Sequence, residues 1–224
     1  MPLLVDPALP AGTLRGITQP RLATNNGLVL RPWRQDDAEA VLTAFACPEI
    51  QQWHVRRLDS LEEAVEWVGQ WADRWQTETA ASWAIVADAD AALPSAERVS
   101  QPLGQSDQVL GQSDRPLRDV DQPLGQIGLR NVSLAEGSAS LSYWVTPAAR
   151  GRSLAARSVE ALTVWAFEVI GFNRLNIQHS SVNTASCRVA ERTGYRAEGT
   201  LRQAIKHADG WHDWHLHGRL RADT

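Results

Sequence analysis

The chain has 224 residues, 43% of them hydrophobic and 21% charged, an ordinary globular composition for one domain that buries its core without staples. A formal net charge of −4 and a single lysine, Lys206, exclude a dedicated nucleic-acid surface, which needs clustered cations against phosphates. The two cysteines, Cys47 and Cys187, are too few for a disulfide framework or a four-cysteine zinc site. The most apolar stretch, around 161–172, contains Glu168 and falls well short of the roughly 20 residues of a membrane span, so a cytoplasmic protein with no membrane partner is expected.

Residues 1–26 are proline-rich, with no basic residue before Arg15, and read as a flexible tail rather than a signal peptide. Leu28 to Arg31 reads as a strand. A helix follows from Asp36, with Ala38, Val41, Leu42 and Phe45 on one face. Ser60 with Glu63 three residues on is a capping box, opening a second helix whose apolar stripe is Ala64, Val68, Trp71 and Trp75. Residues 82–87 and 126–132 read as paired strands. Between them, residues 88–122 repeat LGQSD and carry no aromatic side chain. So polar a segment buries too little surface to offset its ordering entropy, and it is expected to be a disordered insertion in a hairpin loop.

Beyond the insertion, Ala139 to Val145 reads as a strand, Ser153 to Ile170 as a long amphipathic helix stopped by Gly171, and Leu175 to His179 as another strand. Asn183 caps a short helix ending at Gly194, and 196–205 pairs with 211–220 around Ala208-Asp209-Gly210. The sum is an α/β (α+β) layer: a mixed, mostly antiparallel sheet of about seven strands with helices on both faces, forming a single domain over 27–221.

Tyr143 to Ala156 is the stretch most suggestive of chemistry: a strand, an Arg-Gly-Arg loop, then a helix start. Free N–H groups and the positive helix end make an anion site, to which Arg150, Gly151 and Arg152 add charge and close backbone approach, and a phosphate or pyrophosphate is the natural guest. Four histidines in the tail, His207, His212, His215 and His217, invite a metal reading. Strand alternation places His215 and His217 on one face and His212 on the other, with Trp214, Leu216 and Leu220 inward, so no metal site is expected.

The run NTASCRVAERTGY from Asn183, together with LVLRPWRQDDAEAV, PEIQQW and DGWHDWHLHGRL, resembles the GNAT N-acetyltransferases, most closely the RimJ/RimL type that acetylates ribosomal-protein N-termini. The resemblance covers 27–87 and 123–221. It implies that acetyl-CoA is the cosubstrate, with Arg150, Gly151, Arg152, Ser153, Leu154 and Ala155 as the pyrophosphate loop. It further implies Val145 at a splayed strand end against the thioester, Asn183 on the pantetheine arm, Ser186 near the sulfur, and Trp53 and His54 on the acceptor side. Three positions depart from the family pattern. Ser153 stands where glycine is usual, Ser140 where many relatives carry a carboxylate, and Ala190 where some branches carry a general-acid tyrosine. The implied partner is an amine, such as a ribosomal or other protein N-terminus, handled by a monomer or homodimer. A small-molecule amine acetyltransferase, antibiotic-modifying enzymes included, and a non-catalytic CoA-binding module are the alternatives.

Overall fold

The structure, a computed structural model, describes residues 4–24, 27–88 and 121–223. Its frame is one eight-stranded sheet in the order β1-β2-β3-β4-β5-β6-β8-β7, where β1 is Leu22–Thr24, β2 Leu28–Pro32, β3 Ala81–Ala87, β4 Gly125–Ser133, β5 Ser138–Val145, β6 Arg174–Ser180, β7 Arg196–His207 and β8 Gly210–Leu220. Every neighbouring pair is antiparallel except β5 and β6. The helices are α1 (Ala38–Phe45), α2 (Pro48–Gln51), α3 (Leu61–Gln76), α4 (Leu154–Trp165, prolonged by a π turn over Ala166–Ile170) and α5 (Thr184–Arg192).

Helices cover both faces. One apolar cluster joins α1 and α3 to Trp144, while the larger one packs α4 against Trp83, Ile127, Leu141 and Ile177 of the sheet. At α3 the Ser60 cap forms as expected, its Oγ accepting from the Glu63 N–H at 3.3 Å, but the return bond of the box shifts by one residue, Glu63 accepting from the Asp59 N–H at 2.7 Å. Ahead of α1, Asp37 turns back to accept the Arg34 N–H and also the buried Arg31 guanidinium, through two bonds of 2.7 Å.

The N-terminal segment is not the loose tail expected from its composition. Leu9 and Leu14 are buried in the main core, and Glu78 accepts from the N–H groups of Gly12 and Leu14 at 2.7 Å and of Arg15 at 3.4 Å. Burial alone would raise the Glu78 pKa, but these three donors overcome it and hold the carboxyl below its usual value. The Trp75 and Trp83 indoles donate to the carbonyls of Ile17 and Pro20. The segment then supplies β1, the eighth strand. Buried tryptophan N–H groups need acceptors, and this stretch provides them.

Most of the expected insertion, residues 89–120, lies outside the described residues. Its far edge does not behave as a free loop end: Asp121 accepts from Arg31 Nε at 2.7 Å and from Arg34, and its backbone carbonyl accepts from Arg31 at 2.8 Å. No helix among the described residues is long and apolar enough to cross a membrane.

Candidate active site

The site begins with a failure of pairing. The parallel ladder of β5 and β6 runs from Ser138 opposite Arg174 to Leu141 opposite Ile177 and stops there, although β5 continues to Val145 and β6 to Ser180. The two strands part, opening a cleft of about 920 Å³ through the centre of the sheet. All eleven site residues expected from the sequence border this cleft except Arg152, which lines the adjoining groove behind α4 with Arg157 and Arg192.

The end expected to take the acetyl donor is built from contiguous chain. A single 3₁₀ turn at Pro147–Ala149 follows Val145, and Arg150 Nε donates to the Val145 carbonyl at 3.2 Å, folding the loop onto the strand end. Gly151 has φ +79° and a Cβ there would meet nothing within 4 Å, so glycine serves conformation and leaves the space above it open. Ser153 caps α4 at φ 58° and ψ 23°, a left-handed backbone that costs a non-glycine residue about 1–2 kcal/mol. Its hydroxyl makes no cap bond and instead accepts from Arg192 at 2.9 Å. Leu154 and Ala155 begin the helix, whose first N–H groups face the loop.

Across the cleft, Asn183 caps α5 by accepting the Ser186 N–H at 3.1 Å. Ser186 is buried, and its hydroxyl lies 2.7 Å from the Tyr143 hydroxyl. Tyr143 comes from β5, and no local motif announced it; its place opposite Ser186 follows only from the packing of α5 on the sheet. Burial pushes its phenol up to about 12, partly offset by the Ser186 hydrogen bond. Two of the family departures also resolve. Ala190 is fully buried and does not border the cleft, whereas Tyr143 brings a phenol to it; Ser140 lies in β5 between Arg130 and Asn176 and does not border it either.

The end expected to take the acceptor is assembled from distant segments. Trp53 meets His207 edge-on at 5.8 Å between ring centroids, and His54 meets Phe45 at 5.0 Å. Burial, reinforced by the positive field of Arg130 and by His207, lowers the His54 pKa to about 4, so this imidazole is neutral at physiological pH. Arg130 lies over the Trp71 ring at 4.5 Å and donates to Ser142 at 3.1 Å; burial and the neighbouring Arg74 and Arg56 bring it down to about 10. The two ring nitrogens of His207 and the Trp144 indole nitrogen are buried at this end without a hydrogen-bond partner among the described residues. Glu49 is the only carboxylate bordering the cleft among the described residues, and it is exposed. Arg130, His207 and Tyr143 are the site residues that sequence reasoning missed.

A mixed sheet whose parallel pair splays over a helix N-terminus, with an arginine-glycine loop between, defines an acyl-CoA-dependent transferase. Residues 27–196 match the family model described as an acetyltransferase (GNAT) domain, and the chain belongs to that family: it is an acetyl-CoA-dependent N-acetyltransferase. It is 23% identical over 177 residues, 79% of this chain and 83% of the relative, to the uncharacterized N-acetyltransferase YoaA of Bacillus subtilis (strain 168). Among solved structures it resembles RimL, a ribosomal L7/L12 alpha-N-protein acetyltransferase in complex with coenzyme A, at TM-score 0.70 and 18% identity over 90% of this chain and 98% of that one. It also resembles the microcin C7 self-immunity acetyltransferase MccE in complex with acetyl-CoA and AMP, at TM-score 0.68 and 15% identity, over 88% and 93% of the two chains.

Proposed function

We propose that the chain acetylates an amine of low pKa, the N-terminal α-amine of a protein, by direct attack on acetyl-CoA with no covalent enzyme intermediate. The observation that carries this reading is the poverty of bases at the acceptor end. His54 is held near pH 4, burial lowers the His207 pKa as well, and Glu49 is the only bordering carboxylate among the described residues. An attacking amine must be neutral; an α-amine, which ordinarily titrates at about 7.7–8.0, is substantially so near neutrality, whereas a lysine at about 10.4 needs a strong base.

The pyrophosphate lies on the first turn of α4, with Arg150 and Arg152 neutralising it, Gly151 and Ser153 shaping the loop, and the Leu154 and Ala155 N–H groups turned toward its oxygens. The pantetheine arm follows the parting strands, held by the Asn183 amide, and the thioester carbonyl is polarised by the backbone at Val145. Trp53 and His54 flank the incoming amine. Its lone pair attacks the carbonyl carbon, the C–S bond breaks as the tetrahedral intermediate collapses, and the thiolate takes a proton from the Tyr143–Ser186 hydroxyl pair, which solvent replenishes. The ammonium proton leaves through water. Tyr143 stays protonated up to about pH 12 and so remains a donor throughout the working range.

A small-molecule amine is the second reading, favoured by the aromatic border of Trp53, Trp144 and Trp214 and by the likeness to MccE. Release of free CoA thiol, followed with free-N-terminal peptides, the same peptides N-terminally blocked, lysine-only peptides and small amines, separates the two. Turnover with free-N-terminal peptides alone supports the proposal. Turnover confined to small amines establishes the second reading, and CoA binding without turnover of any amine would show a non-catalytic module.

A further inference from the structure

The histidine-rich strand folds against the sequence expectation. Alternation along β8 does separate His212 from His215 and His217, but the face bearing the last two is the inner one. His179 of β6 stands opposite His215, and Ile177 opposite His217, so three imidazoles share the sheet face that α5 covers. Cys187 reaches them from α5. One ligand atom from each of His179, His215, His217 and Cys187 lies within 4.8 Å of all the others.

We propose that His179, His215, His217 and Cys187 form a structural zinc site that staples α5 to β6 and β8. The strongest indication is the hydrogen bonding of the two buried rings. His179 Nδ1 lies 2.8 Å from the Ser180 carbonyl oxygen and His217 Nδ1 lies 3.3 Å from that of Tyr195. A carbonyl only accepts, so both Nδ1 atoms carry hydrogen, and in neutral rings both Nε2 lone pairs then face each other, 3.2 Å apart. Two acceptors so placed need a proton or a cation between them. A cation resolves the arrangement, and an Nδ1–H donated to a backbone carbonyl is the usual outer support of a histidine that ligates through Nε2.

The spacing suits zinc. Bond lengths of about 2.0–2.1 Å to nitrogen and about 2.3 Å to sulfur put tetrahedral ligands about 3.3 Å apart for N···N and about 3.6 Å for N···S. The Nε2 pair is at 3.2 Å, and Cys187 Sγ to His217 Nε2 is 4.0 Å, a distance closed by a small swing of the half-buried thiol. Three imidazoles and one thiolate are borderline-soft donors of the kind zinc takes, and four protein ligands leave no open position, which makes the site structural rather than catalytic. The Cys187 thiol donates to Glu191 at 3.5 Å, so the proton displaced on binding has an acceptor through which to leave. Because Ser186 and Asn183 sit on the same short helix, the metal would also hold the helix that faces Tyr143.

The test uses the full chain, stripped with a chelator and titrated with Co²⁺ and then Zn²⁺. One Co²⁺ per chain is expected, with the intense visible bands of tetrahedral cobalt and a near-ultraviolet thiolate-to-cobalt band, both displaced by one Zn²⁺. Saturating zinc should raise the melting temperature by about 5–10 °C. Cys187→Ser should remove the thiolate band and weaken zinc binding more than about 100-fold, beyond the loss typical of an outer-shell change. His215→Asn should weaken it comparably, and Cys47→Ser should change neither. Both half-buried positions tolerate substitution without loss of the core, which circular dichroism and CoA binding verify. An octahedral cobalt spectrum, absence of the thiolate band, or zinc uptake unchanged in both Cys187→Ser and His215→Asn would overturn the site.

Discussion

The two ends of the cleft are made differently. The donor end is one stretch of chain, Val145 to Ala155, completed by α5, and it works through backbone: a strand that loses its partner, two left-handed residues and a helix start. The acceptor end has no such motif. Trp53, His54, Arg130, Trp144 and His207 converge on it from four separate parts of the sequence, and it is lined by buried and half-buried side chains whose charges are suppressed or paired with rings. One end is fixed by local geometry that tolerates sequence change and the other by side chains that packing alone brings together; on the proposed function the first meets the cosubstrate and the second the acceptor.

If that division is sound, the largest effect should come from Tyr143, which bridges the two ends. Tyr143→Phe should lower kcat about 100-fold, the lower bound for losing a positioned proton donor, with the KM for acetyl-CoA nearly unchanged. An equal loss in CoA affinity would assign the hydroxyl to cofactor binding instead.

Acid should act on the acceptor end before the donor end. His54 is held near pH 4 in the fold against 6.5 in the unfolded chain, and burial lowers His207 as well. Between those values the unfolded state binds the proton and the folded state does not. Stability is therefore complete above about pH 6.5 and declines as the pH falls toward 4. His54 alone removes about 2 kcal/mol between pH 7 and 5, or about 4–8 °C of melting temperature, which thermal scans would detect. His54→Gln should flatten that slope; an unchanged slope would place the titration elsewhere.

Charge substitutions should separate the ends cleanly. Arg150→Ala should weaken CoA binding about tenfold, the worth of one charge-assisted contact, and leave the acceptor KM alone. Arg130→Ala should do the reverse, with some loss of stability because its guanidinium covers Trp71. Calorimetry with CoA and steady-state kinetics against acceptor read the two arms, and crossed effects would break the comparison. The smallest change is expected from Ser153→Gly, which relieves a left-handed serine and stabilises by at most about 1 kcal/mol, leaving CoA affinity equal or tighter. Weaker binding would mean that the Ser153 hydroxyl, held by Arg192, is itself a ligand.

Some of this was legible in the chain. The Ser60 cap of α3, the helix ended by Gly171 and the β7–β8 hairpin all depend on neighbours a few residues apart, where periodicity and turn chemistry decide. The 150–155 loop and the Asn183 cap were legible for the same reason. Where sequence reasoning failed, the partner was remote. Composition made residues 1–26 look loose, yet Glu78, more than sixty residues on, collects Gly12 and Leu14, and β1 joins the sheet edge. Alternation along β8 sorted its histidines into two faces but held no information on which face α5 would cover.

The sequence by itself determined most of the elements, their order and the turn from β5 into α4, because capping, turns and hydrophobic period are short-range. The tertiary structure alone decided which residues meet across the parted strands and under α5: Tyr143 with Ser186, Arg130 with Trp71, and three histidines with one cysteine. Register and helix docking set those encounters, and both are fixed by burying apolar surface over long separations that no local pattern encodes.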